Sequence, residues 1–346
     1  MVGWVSSRAQ RGICFSELRS ATLILKYLIA MVRNSLLITS IAIVFALAGF
    51  AAHLMRAQEP VIRTRVEQVS LFVSARDGQG QPVNDLAREE FRVFEDGRAQ
   101  TVDYFARATS LPLSLGLLLD TSGSQRNLLP AEQAAAIHFL ERTLRTGDEA
   151  MVVTFDLQVA LPAGFTSDRA VLERAIQRAR IRMPEEAKTE SGATPAGTTL
   201  YDAIVEACSK RLAQRAGRKA LVIITDAEDT GSRISREEAL DIAQRTDTIL
   251  HIILITQRAG FGFGKENERN ARKLAEETGG RVVTASYAAD LDAAFDQLEE
   301  ELRSQYILGY TPSNRVRDGA WRKVKVETAR RRTRAFTRSG YFAPRN

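Results

Sequence analysis

The sequence predicts an α/β fold: a doubly wound, mostly parallel sheet flanked by helices, with small β segments before and after it. From about residue 110 to residue 304, apolar runs of strand length alternate with amphipathic stretches of helix length, the pattern of a parallel sheet. The apolar runs are nearly continuous, as expected of strands buried on both faces. Shorter segments with alternating polar and apolar residues flank this region and predict half-exposed strands.

The alternating region divides into five strands and six helices. We expect strands over residues 113–120, 149–155, 220–226, 250–256 and 281–284, and helices near 130–145, 168–180, 199–215, 235–246, 267–278 and 290–304. Right-handed crossovers between parallel strands place such helices on both faces of one sheet.

The segment before the sheet, residues 60–108, predicts β-structure. Strands are expected over 66–74, 91–94 and 101–105, and the Asp96-Gly97 pair between the last two is a strong hairpin signal. About fifty residues are few for independent stability. We therefore expect a small β-sandwich-like module that docks on a neighbouring part of the chain.

The end of the chain, residues 305–346, predicts a C-terminal β hairpin or three short strands. Residues 321–327 alternate polar and apolar side chains, and a basic stretch follows them before Gly340. We expect the two β segments to pack together beside the central region, which would tie the two ends of the chain.

The first 57 residues predict an export signal. Residues 35–52 form a charge-free apolar run preceded by Arg33, and Met31 is a better translation start than Met1, which would make residues 1–30 a start-site artefact. Cleavage near Ala57 gives a signal peptide, but the run is also just long enough to stay as a membrane anchor. We expect a periplasmic, cell-surface or secreted protein, membrane-bound only if this segment is not cleaved.

Charge and cysteine content exclude some classes of protein. The net charge of +6 is concentrated in residues 1–57, with six basic residues against one acid, and from Arg315 onward, with eleven against two, so the body between them is acidic. No aromatic-interleaved module surrounds these arginines, so nucleic-acid binding is not expected. The two cysteines are Cys14 and Cys208, and Cys208 is expected to be a small core residue on a helix.

Three loops carry oxygen-bearing side chains to one edge of the predicted sheet. Residues 120–124, Asp-Thr-Ser-Gly-Ser, follow the first strand, residues 197–199, Gly-Thr-Thr, open a helix, and Asp226 ends another strand. Open α/β sheets place their ligand crevice at the carboxyl ends of the strands. Although Asp-x-Ser-x-Ser alone is also an ordinary turn sequence, these oxygen donors suit a small hard cation such as Mg²⁺ or Mn²⁺.

Together these segments resemble the metal-ion-dependent adhesion site of von Willebrand factor type A domains. Carried over position by position, the resemblance assigns five metal ligands: Asp120, Ser122, Ser124, Thr198 and Asp226. In that family the serines and the threonine touch the metal directly and the aspartates act partly through water, so the resemblance implies a Mg²⁺ site, with Mn²⁺ or Ca²⁺ as other occupants.

The resemblance covers roughly 190 residues and also implies an antiparallel edge strand over 158–161. The order of segments, including the C-terminal strands, is similar to that of exported bacterial von Willebrand A-related proteins abundant in acidobacteria. Ala227 departs from the family, which usually has glycine there. If this position needs a positive φ, alanine strains the loop.

The charge of the site favours binding over catalysis. Only two carboxylates face the cation, so it keeps positive charge and an open position that an Asp or Glu of a partner protein can fill. Hydrolysis would need a general base beside a metal-bound water. We expect His138 on the apolar face of its helix and His251 at the start of a strand, both with structural roles.

We therefore expect a non-enzymatic, metal-dependent protein-binding or adhesion module outside the cytoplasm. Two alternatives stay open at this point: a structural scaffold whose metal site binds no partner, and a metal-dependent hydrolase that uses the same crevice.

Overall fold

The central sheet confirms the predicted α/β class. The computed structural model describes residues 68–108, 111–181, 197–256 and 263–345, and the predicted export segment, residues 1–57, lies outside them. The strands are β1 (Val69–Arg76), β2 (Phe91–Glu95), β3 (Arg98–Gln100), β4 (Tyr104–Arg107), β5 (Leu113–Asp120), β6 (Glu149–Phe155), β7 (Val159–Thr166), β8 (Arg218–Thr225), β9 (Thr248–Ile255), β10 (Val282–Ala285), β11 (Tyr306–Tyr310), β12 (Trp321–Thr328), β13 (Arg334–Phe336) and β14 (Gly340–Phe342). The α-helices are α1 (Leu129–Thr143), α2 (Arg169–Gln177), α3 (Leu200–Val205), α4 (Arg236–Arg245), α5 (Phe263–Glu277) and α6 (Ala288–Arg303).

Six strands form the central sheet in the order β10-β9-β8-β5-β6-β7. All neighbours are parallel except β7, which runs antiparallel to β6. Every residue of β5 and β9 is buried, as expected for strands covered on both faces. The edge strand expected over residues 158–161 is present and extends to Thr166.

Helices cover both faces of this sheet. On one face α1, α2 and α6 contribute Phe139, Ile176 and Phe295 to a core with alternate residues of β5. On the other face α3, α4 and α5 pack over Leu118 and the remaining strand residues. None of the helices in the described part of the chain is long and apolar enough to cross a membrane.

The prediction of one continuous helix over residues 199–215 is wrong, because the segment is divided into three kinds of helical structure. Regular α-helix ends at Val205, a π-helical turn covers Glu206–Arg211, and a 3₁₀ turn covers Leu212–Gln214. The Ser209 hydroxyl donates a hydrogen bond to the Val205 carbonyl oxygen at 2.6 Å, and a serine that bonds back to its own helix competes with the regular pattern. Cys208 is fully buried in this segment, as predicted.

The two flanking β segments build two further sheets together. Their orders are β13-β1-β11-β4 and β14-β12-β2-β3, so each sheet takes two strands from residues 69–107 and two from residues 306–342. A shared apolar core with Leu71, Phe91 and Tyr306 lies between them. The expected hairpin is confirmed: Asp96 and Gly97 both have positive φ, 48° and 80°, as a tight two-residue turn requires.

Ion pairs, one of them buried, join these sheets to the central part of the chain. Glu301 on α6 is fully buried and pairs with Arg76 of β1 and with Arg281. Arg338, which precedes β14, pairs with Asp247 at the end opposite to the predicted metal loops. Because α6 leads directly into β11, the central sheet and the flanking sheets share one continuous connection.

Candidate functional site

Two adjacent parallel strands bring the predicted acids together. β5 pairs with β8 so that Leu119 lies opposite Ile224, which places Asp120 beside Thr225 and Asp226. The Asp120 side chain is fully buried. Its Oδ1 accepts a hydrogen bond from the Ser122 backbone N–H at 2.9 Å, and its Oδ2 accepts one from the Thr225 hydroxyl at 2.7 Å. The carboxylate is therefore held in one orientation at the end of the strand.

The two predicted serines lie side by side above it. Ser122 Oγ and Ser124 Oγ are 2.9 Å apart, and both side chains are partly buried. A 3₁₀ turn over Gly123–Gln125 produces this arrangement. Ser124 and Asp226 line an open cleft of about 580 Å³ that also reaches Ile255 at the end of β9. Ser124 thus borders solvent at the carboxyl edge of the sheet.

Thr198 is placed by a loop held between two neighbouring loops. The Thr198 carbonyl oxygen accepts hydrogen bonds from Thr230 N–H at 3.2 Å and Gly231 N–H at 3.1 Å, and its own N–H donates to Thr230 Oγ1. Gly197 has a φ of 138°, and a Cβ there would lie 2.7 Å from Thr230 Oγ1. Only glycine permits this close approach, so Gly197 sets the position of Thr198.

Asp156, which the sequence analysis missed, connects the first loop to the second. The Thr121 hydroxyl donates to Asp156 Oδ2 at 2.9 Å, while the Thr199 N–H and hydroxyl both donate to the Asp156 carbonyl oxygen. Asp156 directly follows β6 and is itself buried. Its position, just after a buried strand and at the same edge as Asp120, is the sequence signal that could have identified it.

The structure therefore brings Asp120, Ser122, Ser124 and Asp226 to one edge and holds the Thr198 loop against the loop that follows β8. The role of these five side chains as metal ligands remains a prediction. Their chemistry fits a small hard divalent cation, because all the donors are oxygens and two are carboxylates. Among the described residues, no group of three or more His, Cys, Asp and Glu side chains is arranged to hold a metal ion, so the hydroxyl oxygens are necessary to such a site.

Ala227 has the positive φ that the sequence analysis named as a condition for strain. Its φ is 58° and its side chain is buried. The left-handed conformation costs a non-glycine residue roughly 1–2 kcal/mol. The backbone N–H of Ala227 donates to Thr225 Oγ1 at 3.0 Å, so the hydroxyl that orients Asp120 also anchors the strained turn.

Burial dominates the electrostatics of the site. It raises the pKa of Asp120 to about 7, hydrogen bonds from Ser122 and Thr225 oppose that shift, and the charge of Asp226 adds to it. Burial also raises the pKa of Glu132 to about 8, with further contributions from the charges of Asp120 and Asp226. A cation bound near these acids would lower all of these pKa values.

Glu132 was missed in the sequence analysis although its position contains a signal. The buried residues of α1 include Leu129, Glu132, Ala136 and Phe139, which follow helical spacing. Glu132 thus occupies an apolar position on a helix that begins just after the Asp-x-Ser-x-Ser loop. An acid on the buried face of such a helix indicates either a paired charge or a site beneath it.

The two histidines of the described chain differ from each other. His251 is fully buried, as a structural role requires, and burial lowers its pKa to about 4. The expectation that His138 lies on the apolar face of α1 is wrong, since its side chain is exposed. The buried stripe of α1 passes through Phe139 and Leu140, which turns His138 towards solvent.

Comparison with known proteins supports the family resemblance for the central part of the chain. Residues 115–228 match the family model described as von Willebrand factor type A domain. This range contains all five predicted ligands and strands β6, β7 and β8. Residues 115–228 are therefore similar to a von Willebrand factor type A domain. A search of curated proteins found no match to the chain.

Several solved structures are similar to this one. Proximal thread matrix protein 1 from the mussel byssus aligns with 16% identity and a TM-score of 0.46, over 60% of this chain and 51% of that one. A von Willebrand factor type A protein from Catenulispora acidiphila aligns with 11% identity and a TM-score of 0.45, over 80% and 74% of the two chains. The von Willebrand domain of the type V pili tip protein Mfa5 from Porphyromonas gingivalis has 14% identity and a TM-score of 0.41, over 55% of this chain and 94% of that one. The chain spans about half the length of the mussel protein that it matches.

Proposed function

We propose that this protein binds a protein partner through a divalent cation held by Asp120, Ser122, Ser124, Thr198 and Asp226. One observation carries the proposal: a buried, hydrogen-bonded carboxylate and two adjacent hydroxyls lie at the edge of the sheet where Ser124 and a second carboxylate, Asp226, line an open cleft. Oxygen donors grouped in this way are the ligands that Mg²⁺, Mn²⁺ and Ca²⁺ accept. Mg²⁺ is our first expectation.

The energetics of the two acids support a cation. Asp120 is fully buried, and the charge of Asp226 raises its pKa further. A buried carboxylate that a neighbouring acid repels costs free energy in its ionised form unless a positive charge compensates it. A divalent ion supplies that charge, and its remaining ligands come from the serine and threonine hydroxyls.

The same charge count points to the chemistry of the partner. Two carboxylates neutralise the formal charge of the ion, but that of Asp120 is shared with hydrogen bonds from Ser122 and Thr225, so the ion retains attraction for another anionic oxygen. An Asp or Glu side chain of the partner can complete the shell from the cleft. This contact is charge-assisted and therefore strong for its small area.

An exposed aromatic residue lies at the same edge of the sheet. Tyr287 follows β10 and is 67% exposed, and tyrosine is among the residues that contribute most to protein interfaces. We assign Tyr287 to the rim of the partner surface, where it would add apolar contact beside the cation.

The proposal is a binding protein and not an enzyme. A general base must reach a metal-bound water, and His251 is sealed inside the central sheet while His138 lies on the outer face of α1. We place the protein outside the cytoplasm, because residues 35–52 predict an export signal or anchor. Cell fractionation and mass spectrometry of the mature N-terminus test this location.

The central experiment measures partner capture with and without the ion. Immobilised protein is exposed to the extracytoplasmic proteins of its own source with Mn²⁺ or with excess chelator, and Asp120→Ala and Thr198→Ala are compared with Glu300→Ala, an exposed acid near the C-terminus of α6. We expect capture only with the ion, and only by the wild type and the Glu300 variant. Undiminished capture in excess chelator would refute the proposal. A thermal shift with Mn²⁺ but no captured partner would instead favour a structural scaffold.

A further inference from the structure

A buried acid beside the candidate site has no partner that explains it. Glu132 lies in the first turn of α1 and is fully buried. Neither of its carboxylate oxygens has a hydrogen-bond partner among the described residues. Burying an ionisable group without compensation costs several kcal/mol, so a residue of this kind needs a reason to be there.

Packing alone is not that reason. The buried neighbours of Glu132 along the same helical stripe are apolar, among them Leu129, Ala136 and Phe139. An apolar side chain of similar length would fill the same space without the cost of burying a carboxylate, and such replacements are often neutral or stabilising. The carboxylate is therefore explained by what faces it and not by the helix that carries it.

Glu132 is close enough to the two acids of the candidate site to be affected by their charges. The charges of Asp120 and Asp226 both act on Glu132 and, after burial itself, raise its pKa. Glu132 and Asp120 are thus two fully buried carboxylates, and the charge of Asp226 makes the ionisation of both harder. A positive charge placed near them would favour the ionised form of both buried acids.

We propose that Glu132 is a third carboxylate of the cation site, whose charge acts on the bound divalent ion. This inference rests on the proposed function, because it assigns a residue to the same site. Glu132 does not bond to the ion directly, because the described residues contain no cluster of three acidic, histidine or cysteine side chains that could hold a metal. It acts through its charge and through the ligands or water of the ion. Outer carboxylates of this kind typically change metal affinity by about 10- to 100-fold.

The test compares metal affinity and stability in one set of variants of the full chain. Glu132→Gln removes the charge and keeps the shape, and Glu141→Gln makes the same change at an exposed position of the same helix. Titration with Mn²⁺ in a calorimeter should show affinity lowered by roughly 10- to 100-fold for Glu132→Gln and unchanged for Glu141→Gln.

Stability without metal separates this role from a structural one. In excess chelator we expect Glu132→Gln to unfold at the same temperature as the wild type or at a higher one, because the variant loses a buried acid that its neighbours repel. Adding Mn²⁺ should raise the unfolding temperature of Glu132→Gln by less than it raises that of the wild type. A structural Glu132 would give the reverse result: lower stability in chelator and an unchanged Mn²⁺ affinity.

The outcomes distinguish this inference from the proposed function. If the wild type binds Mn²⁺ and Glu132→Gln binds it equally well, the inference is overturned and the proposed function stands. If the wild type does not bind Mn²⁺ at all, both are overturned. Should Glu132→Gln fail to fold, Glu132→Met supplies the same test with an apolar side chain suited to its neighbours, and equal Mn²⁺ affinity of that variant would overturn the inference.

Discussion

Thr225 donates its hydroxyl hydrogen bond to Asp120 Oδ2 across 2.7 Å, and this contact joins the ends of two adjacent parallel strands. The same Thr225 oxygen accepts the backbone N–H of Ala227 at 3.0 Å. One hydroxyl therefore orients the buried acid of the candidate site and anchors the turn that carries Asp226. Neither effect requires Thr225 to touch a cation.

Replacing Thr225 tests this connection. Thr225→Val keeps the shape but leaves Asp120 Oδ2 without its donor, so we expect a loss of about 1–3 kcal/mol in the free energy of unfolding in chelator. Mn²⁺ affinity should fall by roughly 10-fold or more because a positioning contact is lost. Thr225→Ser keeps the hydroxyl and should stay close to the wild type. Equal stability and affinity of the Val and Ser variants would contradict this role.

The backbone of Ala227 gives a second prediction. At a φ of 58°, glycine is favoured, while a β-branched side chain is a severe outlier. Ala227→Gly should change the free energy of unfolding by less than about 1 kcal/mol, because relief of strain is offset by lost packing and by backbone entropy. Ala227→Val should cost about 2 kcal/mol or more. Urea denaturation measures both, and a Val variant as stable as the Gly variant would show that the turn is not restrictive.

The buried His251 predicts a dependence of stability on pH. Glu301, Arg76 and Arg281 act on it electrostatically, and burial lowers its pKa from 6.5 to about 4. Because the folded pKa is below the unfolded value, the unfolded chain binds the proton first, so stability is fully present above about pH 6.5 and falls as the pH drops towards 4. His251 alone should contribute a loss of about 2 kcal/mol between pH 7 and pH 5, while the buried Asp120 and Glu132, with pKa values raised to about 7 and about 8, change stability in the opposite direction.

Denaturation at several pH values measures this loss, and His251→Phe provides the control. The variant has no imidazole to protonate but keeps Asp120 and Glu132, whose pKa values burial raises to about 7 and about 8, so the wild type should lose about 2 kcal/mol relative to the variant between pH 7 and pH 5. If wild type and variant lose the same stability over that range, His251 is not the responsible group.

The shared β-sheets predict the effect of a C-terminal deletion. Removing residues 305–346 takes away β11, β12 and β13, which pair directly with β1 and β2, and β14, which pairs with β12. Residues 69–107 would lose their neighbours and half of their common core, so limited proteolysis should cut this segment rapidly. Tyr287→Ala, a change at an exposed position, should leave the digestion pattern intact. Unchanged resistance of residues 69–107 after the deletion would contradict their dependence on the C-terminal strands.

The amino-acid sequence alone was sufficient to predict the features that depend on residues close together in the chain. The continuous apolar run before Asp120 and its counterpart before Asp226 predicted two buried strands with acids at their ends, because strand length and hydrophobicity are local properties. Asp96-Gly97 predicted its hairpin for the same reason. The Ala-for-Gly departure at residue 227 pointed to the strained turn that the structure contains.

The tertiary structure decided the features that depend on residues distant in the chain. β1 pairs with β11 more than 200 positions away, and no local pattern specifies such a partner. Glu132 and His138 lie six residues apart on one helix, yet one is fully buried and the other exposed, because the surfaces that α1 packs against determine which of its faces is covered. Local sequence thus determined which strands, turns and acid-bearing loops exist, while packing between distant segments decided which side chains meet, since burial and charge are set by everything that surrounds a group in space.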